Sequence, residues 1–275
     1  MPSSFLDDRG VLRVSGAEAR AFLQGLFTCD VERVAPEAPA FGALLTPQGK
    51  IIVDFVLTQQ DGAFWLDVPA PLAADLLKRL RLYRLRAQIE LSDLSETLGV
   101  QAIWGAEPLP AGAQPDPRHP GLGARLIADR AMLAENPGDR AAHEALRIAC
   151  GIPQGGADFA YGEAFPHEAN MDLIGGVDFK KGCYVGQEVV SRVHHRGTAR
   201  RRILTAELTG PAPAPGTPVL AGDAEVGTLC STAGAQALAS IRLDRAQDAR
   251  DAGTPLTAGG LSLTLGALPS RAPQG

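Results

Sequence analysis

Apolar residues recur at helical spacing in three stretches of the chain, and between and after them they run together or alternate as in strands. The first helix is announced by Ser15-Gly-Ala-Glu18, a capping box followed by Ala19, Phe22, Leu23 and Leu26 on one face. Residues 43–57 predict two strands around the turn Thr46-Pro-Gln-Gly-Lys50, with Ile51, Ile52, Val53, Phe55 and Val56 supplying β-branched and aromatic positions. A third strand, 63–68, follows the turn signal Gln60-Asp-Gly62. Leu72, Leu76, Leu80 and Tyr83 then recur at intervals of four, four and three, which predicts an amphipathic helix over 71–86 opened by Pro71. Further strands are expected at 88–91, 99–104 and 123–127. Between the last two, five prolines from Pro108 to Pro120 mark a surface connection.

A helix over 140–150 has Asp139 as its cap and Gly151 and Pro153 as its stop, with Ala142, Leu146, Ala149 and Cys150 as its apolar stripe. Cys150 is therefore expected in the core, and Arg147 lies on another face with His143. After Arg202 the pattern turns to short strands at 203–208, 219–220, 225–230, 237–242 and 261–265, separated by Gly/Pro-rich turns, the pattern of a small β-barrel. The expected fold class is α+β.

At 275 residues, several small domains are expected. No stretch is apolar and long enough to span a bilayer, and residues 1–10 carry no leader-like pattern, so a cytosolic protein of bacterial type without membrane contact is expected. Cys29, Cys150, Cys183 and Cys230 lie at least thirty residues apart, which leaves no sequence-local metal motif. A net charge of −5 argues against direct nucleic-acid binding. Residues 180–202 depart from that average, with seven Lys/Arg and two histidines against the single acid Glu188, and could face an anionic ligand or an acidic partner. His194 and His195, read as neighbours on a strand, would point to opposite faces and hold no common ion.

The chemistry concentrates in Lys180-Lys-Gly-Cys-Tyr-Val-Gly-Gln-Glu188, a polar, glycine-bounded segment with little to bury. A thiol beside two lysines in such a turn would have its thiolate favoured. The run Lys181-Gly-Cys-Tyr-Val-Gly-Gln-Glu188 resembles the signature of the folate-binding YgfZ family, relatives of the glycine-cleavage aminomethyltransferase. Phe165-Pro-His-Glu-Ala-Asn-Met-Asp172 is similar to the family's P-x-E stretch, and Val189 to Arg202 to its strand leading into the last domain.

The resemblance implies a three-domain ring: a discontinuous folate-binding domain (1–41 with 129–197), a ferredoxin-like domain (42–128) and a C-terminal barrel (198–275). It implies tetrahydrofolate or a one-carbon derivative as cofactor. Glu168 would accept the pterin's two donors as a fork. Lys181, Tyr184 and Gln187 would line the site, and Arg147, Arg192 or Arg196 would pair with the glutamyl tail. Cys183 would be the reactive thiol. The partners implied are iron–sulfur client enzymes, including tRNA-modifying ones, or assembly proteins, and a monomer is expected. Asp54 or its neighbour Val53 stands where the aminomethyltransferase carries its catalytic aspartate. Two other readings stand beside this one: an aminomethyltransferase proper, and a non-catalytic docking scaffold. The residues leave open whether Cys183 relays a cluster, relays sulfur or attacks a one-carbon adduct.

Overall fold

The computed structural model describes residues 1–106, 108–197 and 199–268. Its elements, in chain order, are β1 (Ser3–Leu6), β2 (Arg9–Ser15), α1 (Ala19–Gln24), β3 (Ala40–Leu45), β4 (Ile51–Gln60), β5 (Ala63–Pro69), α2 (Ala70–Arg84), β6 (Glu90–Asp93), β7 (Leu98–Ile103), β8 (Gln114–Pro115), β9 (Ala124–Asp129), α3 (Arg130–Glu135), α4 (Arg140–Ala149) and α5 (Gln187–Arg196). There follow β10 (Arg201–Leu208), β11 (Pro218–Ala221), β12 (Ala224–Ala233), β13 (Gln236–Arg242), α6 (Leu243–Asp251), β14 (Leu256–Ala258) and β15 (Leu261–Leu265).

The strands form a five-stranded sheet ordered β3-β4-β5-β2-β6, a four-stranded sheet ordered β1-β7-β9-β8, and a closed barrel β10-β13-β12-β11-β14-β15. The α+β expectation with a C-terminal barrel is thus borne out. Residues 40–57 read as near-continuous apolar runs because both faces of β3 and β4 are buried. Leu44, Val53, Phe55 and Leu57 face one core with α1 and α2, whereas Phe41, Ala43, Leu45 and Val56 face a second core with Ile152, Met171, Ile174 and Tyr184. Five of the six barrel strands coincide with expected ones; Leu256–Ala258 is too short a run to stand out.

Antiparallel pairing of β2 with both β5 and β6, and of β1 with β7, joins strands on either side of residue 41. Thr198, where the C-terminal domain was expected to begin, and residues 269–275 lie outside the described residues. The strand expected from Val189 is instead helix α5. Gly186 (φ 83°) precedes it, Gly197 (φ 59°) closes it in the left-handed region, and His194, His195 and Arg196 place cationic or ionisable groups in its last turn. Its β-branched residues mimic a strand, yet Val190 is buried on one helical face.

Buried charge joins the layers. Asp67 on β5 receives Arg9 from β2 and Arg125 from β9, and Arg125 and Arg118 both grip Asp116, at 2.8 and 2.7 Å. Burial alone would raise the Asp116 carboxyl, but the two guanidinium groups hold it well below the ordinary carboxylate range. The barrel is fastened through Asp158, whose carboxylate accepts Arg147 Nη1 of α4 at 2.6 Å and the Ser231 amide of β12 at 2.8 Å.

His143, also on α4, is buried against Trp104, with ring centroids 5.7 Å apart. Burial, then the charges of Arg125 and Arg118, lower its pKa to about 3. The unfolded chain takes up this proton near pH 6.5. Stability is therefore lost as pH falls from about 6.5 towards about 3, with a slope approaching ~1.4 kcal/mol per pH unit from this group. In urea unfolding as a function of pH, His143→Leu should remove that slope relative to wild type; identical slopes would show that His143 does not carry it.

Candidate functional site

The Cys183 segment is held from below and open above. Asp178 starts it, its carboxylate accepting the amides of Lys180 and Lys181 at 2.7 and 3.0 Å. The Lys181 side chain turns inward, 9% exposed, and its Nζ donates to the carbonyls of Gln24, Phe27 and Cys29 at 2.8, 2.5 and 2.7 Å. All three ammonium donors are thus used. Burial lowers the lysine's pKa. Tyr184 is likewise buried, and its backbone amide donates to Gln187 Oε1 at 3.3 Å, so Gln187 caps the turn leading into α5. Gly186 fits because a Cβ there would lie 2.5 Å from the Thr46 carbonyl of the 46–50 turn. Cys183 itself is exposed.

This geometry corrects three expectations. Lys181 does not flank the thiol, because its charge is spent on the 24–29 segment. Lys181 is a brace of the motif, its ammonium turned inward, and the Tyr184 side chain packs into the second core. Arg147 cannot receive a ligand's carboxylate: it is 1% exposed, and its donors are taken by Glu144, Asp158, Ser231 Oγ and the Ile152 carbonyl. Arg192 and Arg196 stand exposed on α5. In the basic strip, Arg202 is also spent, forked on Asp172 at 2.5 and 2.9 Å.

Glu168 borders a cavity of about 360 Å³ lined by Phe165, His167, Val193, Arg200, Arg201 and Arg242. Its Oε2 accepts the Phe165 amide at 2.9 Å, which fixes the carboxylate at the cavity wall. Of these residues, Arg242 and Phe165 were missed from sequence. Arg242 arrives from the barrel and carries no motif, and only its place at the end of a strand could have drawn attention. Asp54 is 5% exposed and accepts the Tyr161 hydroxyl. Burial and this carboxylate together raise the phenol's pKa.

The two-sheet body with its C-terminal barrel defines an aminomethyltransferase-type fold: the crystal structure of glycine cleavage system aminomethyltransferase T from Bartonella henselae matches it with a TM-score of 0.74 over 97% of this chain and 85% of that one, at 16% identity. At that identity the likeness shows the fold alone. Residues 200–273 match the family described as CAF17, C-terminal beta-barrel domain.

In sequence, the chain's homologues are proteins named iron-sulfur cluster assembly factor IBA57 homolog, mitochondrial. That of Neurospora crassa is 33% identical over 78% of this chain and 55% of its own length, and that of Coccidioides immitis 33% identical over 84% and 63%. That of Phaeosphaeria nodorum is 35% identical over 72% and 53%. The chain thus spans little more than half the length of these relatives. They lie close to, but are not, the YgfZ family that the motif resembles, and their mitochondrial designation overturns the cytosolic expectation. No helix among the described residues is long and apolar enough to cross a membrane.

The brace on the motif can be measured. Lys181→Met keeps the length of the stem and removes the ammonium, leaving three inward carbonyls without their shared donor. A stability loss of about 3 kcal/mol is expected in chemical denaturation, together with faster alkylation of Cys183 as the loop loosens. A loss below ~0.5 kcal/mol would mean that the ammonium is not the brace.

Proposed function

We propose that the protein is an accessory factor in iron–sulfur cluster assembly that offers the Cys183 thiolate to a cluster carried by an assembly protein or a client enzyme, tRNA-modifying ones among them. The observation that carries this reading is an exposed thiol on a loop held rigid from beneath by Lys181, Asp178 and Gly186, in a chain similar to named assembly factors. A preformed loop loses little freedom when its sulfur is captured, so its exposure costs little in binding. The cluster is cargo. In the exchange, the Cys183 thiol loses its proton to solvent, its sulfur lone pair enters the coordination of one iron, and the displaced ligand thiolate takes up a proton, with no change in oxidation state. Cys183→Ala should leave the fold intact and abolish rescue of iron–sulfur enzyme activity in cells that depend on this protein. Full rescue would remove the thiol from the function.

A reduced folate is proposed for the cavity beside Glu168. The residues fit such a group: a fixed carboxylate for the paired donors of a pterin, the Phe165 ring for its flat face, and Arg200 and Arg201 for an anionic tail, Arg242 being forked on Asp244. These arginines replace Arg147 in that role, and the cavity lies outside the reach of the inward Lys181. Glu168→Gln preserves an acceptor for the Phe165 amide but alters the fork. Calorimetric titration with folinic acid should show affinity reduced at least about ten-fold, and unchanged affinity would place the ligand elsewhere. Aminomethyl transfer is the weaker reading, since the Tyr161 hydroxyl already occupies Asp54.

A further inference from the structure

His167 is buried, 2% exposed, and neither of its ring nitrogens has a hydrogen-bond partner among the described residues. An imidazole held this way forfeits both of its polar interactions, an unusual arrangement in a folded interior. What surrounds it offers a reason. One nitrogen of His167, one of His194 and a carboxylate oxygen of Asp172 all lie within 4.8 Å of one another.

His167 and Asp172 come from one run of turns and are held by the same Arg202, whereas His194 comes from α5. His167 sits in the 165–172 turns, where its carbonyl accepts Arg202 Nη1 at 2.7 Å. Asp172 is held by both Nη atoms of Arg202, and His167 Nε2 is 4.0 Å from Asp172 Oδ2. His194, in the last turn of α5, lies flat on Phe179, with ring centroids 3.7 Å apart and planes 16° apart. His195, the next residue, takes no part in the cluster.

From this we infer that His167, Asp172 and His194 form a binding site for a divalent first-row transition metal ion. Two imidazoles and one carboxylate are a donor set that such ions use, and donor atoms this close need only a small side-chain adjustment to meet one ion at about 2.0–2.2 Å. Arg202 does not block it. A carboxylate oxygen has two lone pairs, and carboxylates that bind metals are commonly held by a second hydrogen bond that orients them. His194 lies exposed at the edge of the cluster, so the remaining coordination positions face solvent and the ion can exchange. The site does not use the Cys183 thiol, and it adjoins the Glu168 cavity through His167.

The test uses cobalt(II) chloride as the probe and Cys183→Ala protein as the background, so that no signal arises from the exposed thiol. One equivalent should bind by calorimetry and give visible ligand-field absorption, together with a raised melting temperature. His194→Phe preserves the stack on Phe179 while removing the nitrogen, and should weaken cobalt binding at least about ten-fold and abolish the absorption. His195→Ala should change neither. Absence of cobalt binding to the folded Cys183→Ala protein, or equal binding by His194→Phe, would overturn the assignment.

Discussion

A buried ammonium needs acceptors, and the one at Lys181 finds three carbonyls in the short segment that leaves α1. That requirement sets the course of the chain on both sides. Residues 24–29 must curl so that their carbonyls converge, and the motif must lie across them, which Asp178 ensures by holding the Lys180 and Lys181 amides. Thr28 tightens the same junction, donating to the Gly176 carbonyl at 2.6 Å and accepting the Ala43 amide at 2.8 Å. With its underside consumed in this way, the loop has one direction left for Cys183, outward.

Charge elsewhere is used in the same sense, to fix layers against one another. Arg9, Arg125 and Arg118 meet Asp67 and Asp116 between the two sheets, and Arg147 and Asp158 meet Ser231 where the body touches the barrel. Buried pairs of this kind seldom add much net stability, because desolvation offsets their attraction, but removing one partner is costly. Their effect is to make one arrangement of sheet and barrel far better than its alternatives. The cavity beside Glu168 is a product of that arrangement, since Arg242 reaches it from the barrel and Phe165 from the body.

The fold was readable where burial dictates pattern. The helix at Ala70–Arg84, the paired strands around the 46–50 turn and the barrel all follow from apolar spacing, because one face of each meets a core. The exposure of Cys183 was also legible, since a polar run with no side to bury has little reason to enter a core. Three things were not. The direction of the Lys181 side chain depends on carbonyls more than 150 residues away in sequence. The saturation of Arg147 depends on Asp158 and Ser231, which no local pattern links to it. The conformation of Gln187–Arg196 went against its β-branched residues because the left-handed glycines at either end and the buried face of Val190 outweigh that weak preference.

Helix α5 gives this last point a geometrical meaning. Its ten residues span about 15 Å, with the Cys183 loop entering at Gly186 and the ring of His194 in the final turn. A helix of this length does not stretch, so the sulfur and the imidazole are set at the two ends of a gauge, with hinges only at the bounding glycines. Whatever docks over the thiol therefore meets a surface whose opposite margin is already located, and a tilt imposed at one end must appear at the other.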